Sequence, residues 1–311
     1  MKYLNIFIGL VLLNGCAIQT MSTRDLVTSL PWKSRLERDI VYHSVEGIDL
    51  KLDIHLPEAW MAGPPWWSDK GLGKRPVLFY IHGGGYIVDN KESRQLRLLP
   101  YIAHDWIVVN INYRLAHQAK APAAIADCLK ALEWVFKNAE KYQIDTDRIV
   151  VSGDSAGGHL ALMTGMLKEG DSLCGGKYVV GKKNRVAAII NWFGITDFTF
   201  QDPYQRDIYK TPHDWFDPND DYEELTTSLS PVNYVRKGGV PVLTIHGSID
   251  PAVPPVQAEL LHKKLKEAGV MEKLIMIPGK KHGNFSDKER IMIFKKTINF
   301  LKHCEPEIRL D

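Results

Sequence analysis

Cysteine is scarce in this chain: four in 311 residues, at positions 16, 128, 174 and 304. They form no CxxC pair and no zinc-type spacing, which excludes a disulfide framework and a structural zinc site. An excess of charge of one sign is also missing. Lys and Arg number 39 against 37 Asp and Glu, a formal net charge of +2, so nothing points to nucleic acid as a partner. There is no HExxH, and no GxGxxG follows a strand pattern. Residues 170–177 have the wrong spacing for a phosphate loop, and Tyr178 stands where Ser or Thr is needed. Residues 217–228 begin like a calcium loop, but Tyr222 replaces the required Gly and Ser228 the terminal Glu. No metal and no organic cofactor is therefore expected.

What is present is ordinary globular composition, 45% apolar and 24% charged, long enough for one large α/β domain. The apolar stretch at residues 4–13 is too short to span a bilayer but suits a signal-peptide core. It ends in Leu13-Asn14-Gly15-Cys16, which resembles a bacterial lipoprotein box. The expectation is a signal peptide over residues 1–15, lipidation of Cys16, a polar tether over 16–37 and a catalytic domain over 38–311. The protein would then sit on the bacterial cell envelope by a lipid anchor. Cleavage after Ala17, giving a soluble secreted or periplasmic protein, is the alternative.

From there the periods alternate. Strands are expected at 39–44, 48–56, 76–81, 107–111, 149–152, 186–192, 240–245 and 274–277. The second carries Leu50, Leu52, Ile54 and Leu56 at spacing two, and several others are continuous apolar runs suited to burial on both faces. Helical spacing runs through 123–142, 156–168, 255–268 and 288–303. This βα alternation predicts a mostly parallel twisted sheet of about eight strands with helices on both faces. Residues 57–75 read as a loop. Residues 198–234, polar and aromatic, read as a small insertion over the sheet's carboxyl edge.

Two motifs carry chemistry. Gly153-Asp154-Ser155-Ala156-Gly157 lies between an expected strand and an expected helix, the context of a nucleophile elbow. Upstream, His82-Gly83-Gly84-Gly85 follows another strand. Glycines there let backbone N–H groups turn toward one point, as stabilising an oxyanion requires. Gly84, Gly85 and Ala156 are the expected donors, with Gly83 a substitute. His82 and Asp154 read as residues that organise their loops. A serine needs a base, and the base a carboxylate to orient it. Asp250 and His282 follow the last two strands in the required Ser–Asp–His order. The other histidines read as bland: His159 on the serine's own helix, His262 and His303 on surface-type helices, His246 merely ahead of the acid.

These residues resemble the α/β-hydrolase fold in its hormone-sensitive-lipase-like branch, as do Asn112-Tyr113-Arg114-Leu115-Ala116, Pro122-Ala123-Ala124 and Asp127. A closer resemblance, to bacterial bifunctional feruloyl and acetyl xylan esterases, is carried by Asn191-Trp192-Phe193-Gly194-Ile195-Thr196-Asp197, Ser230-Pro231, and His246-Gly247 through Asp250 to Val253-Pro254. It spans residues 38–303. It implies a serine carboxylesterase that hydrolyses acetyl or feruloyl esters on carbohydrate such as xylan, with Ser155, His282 and Asp250 catalytic. The large helical cap usual in the lipase-like branch is not expected, since only residues 17–37 precede the first strand. Trp192 and Phe193 are expected at the acyl side of the pocket. Phe198, Phe200, Tyr204, Tyr209, Trp215 and the pair Trp66-Trp67 could offer flat faces to a sugar or phenolic acid. The alternatives are a general short-chain lipid or small-molecule esterase, an arylformamidase-type amide hydrolase, and a non-catalytic binding module on the same fold.

Overall fold

The structure, a computed structural model, describes residues 35–57, 73–174, 186–200 and 214–304. The signal segment, Cys16, residues 16–34 of the tether, Trp66-Trp67, Tyr204 and Tyr209 lie outside them.

Eight strands form one sheet: β1 (Arg35–Val45), β2 (Ile48–Leu56), β3 (Arg75–Ile81), β4 (Ile107–Ile111), β5 (Ile144–Asp154), β6 (Ala188–Trp192), β7 (Val242–Gly247) and β8 (Glu272–Ile277). Their spatial order is β1-β2-β4-β3-β5-β6-β7-β8. The first two junctions are antiparallel and the other five parallel. Among the described residues, the helices are α1 (Gln95–Ile102), α2 (Ala123–Lys137), α3 (Ala139–Tyr142), α4 (Ala156–Met166), α5 (Tyr222–Ser228), α6 (Val256–Glu267) and α7 (Asp287–Cys304).

The side-chain alternation of a strand divides the interior in two. In β3, Val77, Phe79 and Ile81 point into one core with residues of α2 and α4. Leu78 and Tyr80 point into the other, with Leu98 and Tyr101 of α1 and Ile293 and Phe300 of α7. Every residue of α4 is buried, as a helix laid across the middle of a sheet must be.

Several elements differ from the sequence expectation, among them β5, which starts at Ile144 instead of 149, and α5, inside the expected insertion. β1 starts at Arg35, inside the expected tether, because Arg35 pairs with Leu56 at the far end of β2. Register shifts on both sides of Ile40–Val41 break its alternation, with Asp39 at φ 53°. The expected helix 123–142 ends at Lys137. Asn138 leaves the helical region at φ −102°, ψ 12°, and its side-chain amide donates to the Trp134 carbonyl. Helix α1 was not expected at all, since Pro100 lies inside it. Burial of Leu98, Leu99, Tyr101 and Ile102 outweighs that local penalty. Among the described residues, no helix is long and apolar enough to cross a membrane.

Candidate active site

Ser155 occupies the turn between β5 and α4 at φ 56°, ψ −120°. Such a backbone is strained for any residue with a Cβ and persists only where its surroundings fix it. Here the Ser155 N–H donates to the Trp192 carbonyl at 2.8 Å. The flanking glycines are steric requirements: a Cβ on Gly153 would strike the Gly157 carbonyl, and one on Gly157 the carbonyls of Ile81 and His82. The turn is therefore packed directly against the end of β3, where the glycine-rich loop begins. A Cβ on Gly83 would lie 2.6 Å from the Asp154 carbonyl oxygen.

That loop is fixed from several sides. His82 is buried, stacks on Tyr113 at 4.3 Å and places Nδ1 2.7 Å from the Gly83 carbonyl. Burial pushes its pKa down to about 4. Gly84 turns at φ +103°, and its carbonyl accepts from the N–H groups of Ile87 and Val88. Among the described residues, the N–H groups of Gly83, Gly84 and Gly85 donate to no acceptor. The Ala156 N–H opens α4, where the helix dipole is positive. Farther along, the Lys91 ammonium is buried between Asp53 (2.9 Å) and Asp39 (3.0 Å), and Asn110 and Asn112 bond the Lys91 backbone.

Asp154 points away from the serine. Its carboxylate accepts from Tyr80 Oη (2.7 Å) and Arg94 Nε (3.3 Å) and pairs with Arg97 (3.0 Å). Burial would raise its pKa, but Arg97, Tyr80 and Arg94 outweigh that and hold it low. It thus ties α1 and the glycine-rich loop to the elbow.

The loops after β7 and β8 bring the other two groups. His282 Nε2 is 2.9 Å from Ser155 Oγ, and its Nδ1 is 2.7 Å from Asp250 Oδ2. Asp250 Oδ1 accepts from the N–H groups of Ala252 (2.8 Å) and Val253 (3.0 Å). Burial works to raise the Asp250 pKa, yet hydrogen bonds from His246, His282 and the backbone hold the carboxyl far below the usual range. Chemically this is a serine hydroxyl facing an imidazole whose far side is held by an anion, beside unpaired backbone donors. Among the described residues, no group of three or more His, Cys, Asp or Glu is placed to hold a metal ion.

Some expected roles need correction. Phe193 is buried and packs edge-on against His282 at 4.5 Å and against Phe285, so it supports the imidazole and offers almost no face to a ligand. Trp192 is half-buried and contributes the carbonyl that anchors Ser155. Phe198 and Trp215 are buried: Trp215 stacks on Tyr86 at 3.9 Å, pinning the insertion to the glycine-rich loop, so neither can carry a sugar. His262 is buried too, its Nδ1 2.5 Å from Glu272 Oε2. Sequence reasoning missed His246, which lies against Asp250, and the Lys91 and Arg97 pairs. The spacing of four between His246 and Asp250 at a strand end was the available signal. For Lys91, Asp53 and Arg97 there was none, since their partners are 14 or more residues away in the chain.

Residues 66–265 match the model of the BD-FAE family. Esterase LipQ of Mycobacterium tuberculosis (strain ATCC 25618 / H37Rv) is 29% identical over 206 residues, 65% of this chain and 48% of that protein. The chain spans about half the length of the curated relatives it matches. A solved structure, the truncated form of a carbohydrate esterase from gut microbiota, is similar at TM-score 0.69 and 26% identity, over 86% of this chain and 96% of that one. Thermogutta terrifontis esterase 2 phosphonylated by sarin shares the fold at TM-score 0.71 and 22% identity, over 88% and 95% of the two chains. The family model covers well over half of this sequence, from before the glycine-rich loop to past Asp250, and the chain belongs to the BD-FAE family, in the hormone-sensitive-lipase-like branch of α/β-hydrolase esterases.

Proposed function

We propose that this protein is a serine esterase that removes short acyl groups, acetyl foremost and feruloyl second, from carbohydrate. The observation that carries the chemistry is the row Ser155 Oγ–His282–Asp250, at 2.9 Å and 2.7 Å. Asp250 accepts from Nδ1–H, which leaves the Nε2 lone pair facing the serine hydroxyl. Ser155 attacks the ester carbonyl while His282 takes its proton. The oxyanion meets N–H groups of Ala156, Gly84 and Gly85, with Gly83 beside them; each donor of this kind is worth roughly 3 kcal/mol in the transition state. His282 then protonates the leaving alcohol, and water attacks the acyl-enzyme by the same route.

The carbohydrate side rests on the family and on the carbohydrate esterase of similar fold. Rates on p-nitrophenyl esters should fall steeply from acetate to octanoate, and acetate should be released from acetylated xylan. Trp192→Ala should flatten the fall. A maximum at octanoate with no acetate released from xylan would leave a lipid or small-molecule esterase. Faster turnover of N-formylkynurenine than of p-nitrophenyl acetate would favour the amide hydrolase. We also propose attachment to the cell envelope through lipidated Cys16. Intact mass of protein from its native host decides this, and an unmodified N-terminus at Met1 or Ile18 overturns it.

A further inference from the structure

His246 is the penultimate residue of β7, its side chain wholly buried. Its Nε2 is 2.9 Å from the Val253 carbonyl oxygen, which can only accept, so Nε2 carries the proton. The same Nε2 is 3.4 Å from Asp250 Oδ2. That is the oxygen to which His282 donates at 2.7 Å, so one carboxylate oxygen lies between two imidazole donors. The other oxygen is occupied by the Ala252 and Val253 N–H groups. His246 Nδ1 meets no partner among the described residues, so this ring bonds to protein only on the side facing Asp250 and its loop.

We propose that His246 is a positioning residue for Asp250, and through it for His282. The inference rests on the catalytic reading of Ser155, His282 and Asp250. A carboxylate with two backbone donors on Oδ1 alone can still rock about its Cβ–Cγ bond, both oxygens moving together. The shared Nε2–H of His246 removes that freedom. It ties Oδ2 to Val253, the residue whose own N–H holds Oδ1, so the turn and the carboxylate become one unit. Oδ2 is then held in line with His282 Nδ1 before substrate arrives, at no reorganisation cost during the reaction. The approach of His246 to Oδ2, at 3.4 Å, is longer than the 2.7 Å bond from His282, as a brace should be: it orients the oxygen without displacing His282.

The test is a double-mutant cycle on purified full-length enzyme with p-nitrophenyl acetate. His246→Leu should lower kcat about 10- to 100-fold and leave KM within about twofold, because an orientation effect appears in the transition state rather than in binding. His246→Gln, which keeps a donor near the same place, should restore kcat to within about fivefold of the parent. In an Asp250→Asn background, His246→Leu should change kcat by less than about twofold, since the brace has lost the anion it holds. Thermal midpoints of each variant separate folding from catalysis. If His246→Leu does not fold, His246→Asn, whose shorter amide falls short of Oδ2, takes its place in the cycle. Unchanged kcat in the single variant, or the same loss with and without Asp250, overturns the proposal and leaves His246 as packing. If Asp250→Asn alone keeps full activity, it is the catalytic assignment of Asp250 that fails.

Discussion

Ser155 has a left-handed φ of 56° that serine rarely adopts, and its packed neighbours compel it. The anchoring carbonyl of Trp192 and the close approach of Gly157 to β3 hold the turn open, so the hydroxyl projects toward His282. Ser155→Ala leaves that turn almost unchanged in volume. It should lower kcat by at least ~10³-fold while the far-ultraviolet spectrum and thermal midpoint stay at parent values. His282→Ala should cost a similar factor, and the double variant no more than the worse single one, because the two groups act as a unit. Independent, multiplying losses in steady-state kinetics would contradict one shared proton-transfer step.

At the scale of elements, the glycine-rich loop is the part with least regular structure and most external fastening. Its amino end is seated on β3 and the elbow, and its carboxyl end is carried by Lys91. That ammonium bridges Asp53 on β2 and Asp39 on β1, and burial, which would lower its pKa, is outweighed by the two carboxylates. A buried pair contributes little over an apolar substitute, but breaking one strands a charge. Lys91→Met leaves Asp53 buried and unpaired and should cost about 3–5 kcal/mol of unfolding free energy. Urea denaturation reads this directly, and kcat for p-nitrophenyl acetate should fall with it as the loop loosens. Adding Asp53→Leu should recover a large part of the stability, because Asp39 is exposed enough to keep its water. A single variant as stable as the parent would show that the pair does not hold the loop.

The whole molecule carries an acid sensitivity through three buried histidines. His55, His82 and His159 lie on β2, on the glycine-rich loop and on α4, and in each burial lowers the pKa to about 4. Their unfolded values lie near 6.5, so between pH 6.5 and 4 the unfolded chain binds more protons than the folded one. Their contribution is complete above pH 6.5 and is lost as pH falls through 4, on the order of 3 kcal/mol for each. Asp154 and Asp250, with lowered carboxyl pKa values, act in the same direction at still lower pH. The urea midpoint should therefore be flat from pH 8 to 7 and fall steeply below about 6.5. His159→Gln should make that fall shallower by about one proton. A midpoint independent of pH down to 4.5 would mean the histidines are open to water.

Much of this protein could be read before any coordinates. Period two marks β2, and continuous apolar runs mark β3 and β4, almost to the residue, since strands buried on both faces leave little room for polar side chains. Gly153, Ser155 and Gly157 are legible because a turn that tight admits few residues at those positions. What the chain could not disclose is whatever depends on partners distant in sequence. The start of β1 is set by Leu56 across the sheet, α1 by the apolar surface that covers it in spite of Pro100, and the role of Phe193 by the ring of His282. The contact of His246 with Asp250 is an intermediate case: a spacing of four at a strand end is its only trace in the sequence, and the turn of the chain after β7 brings Nε2 back to 3.4 Å from Oδ2. Local sterics act over a few residues and so are written in order along the chain, whereas hydrogen bonds in a buried site are chosen by which strand ends the tertiary fold makes neighbours.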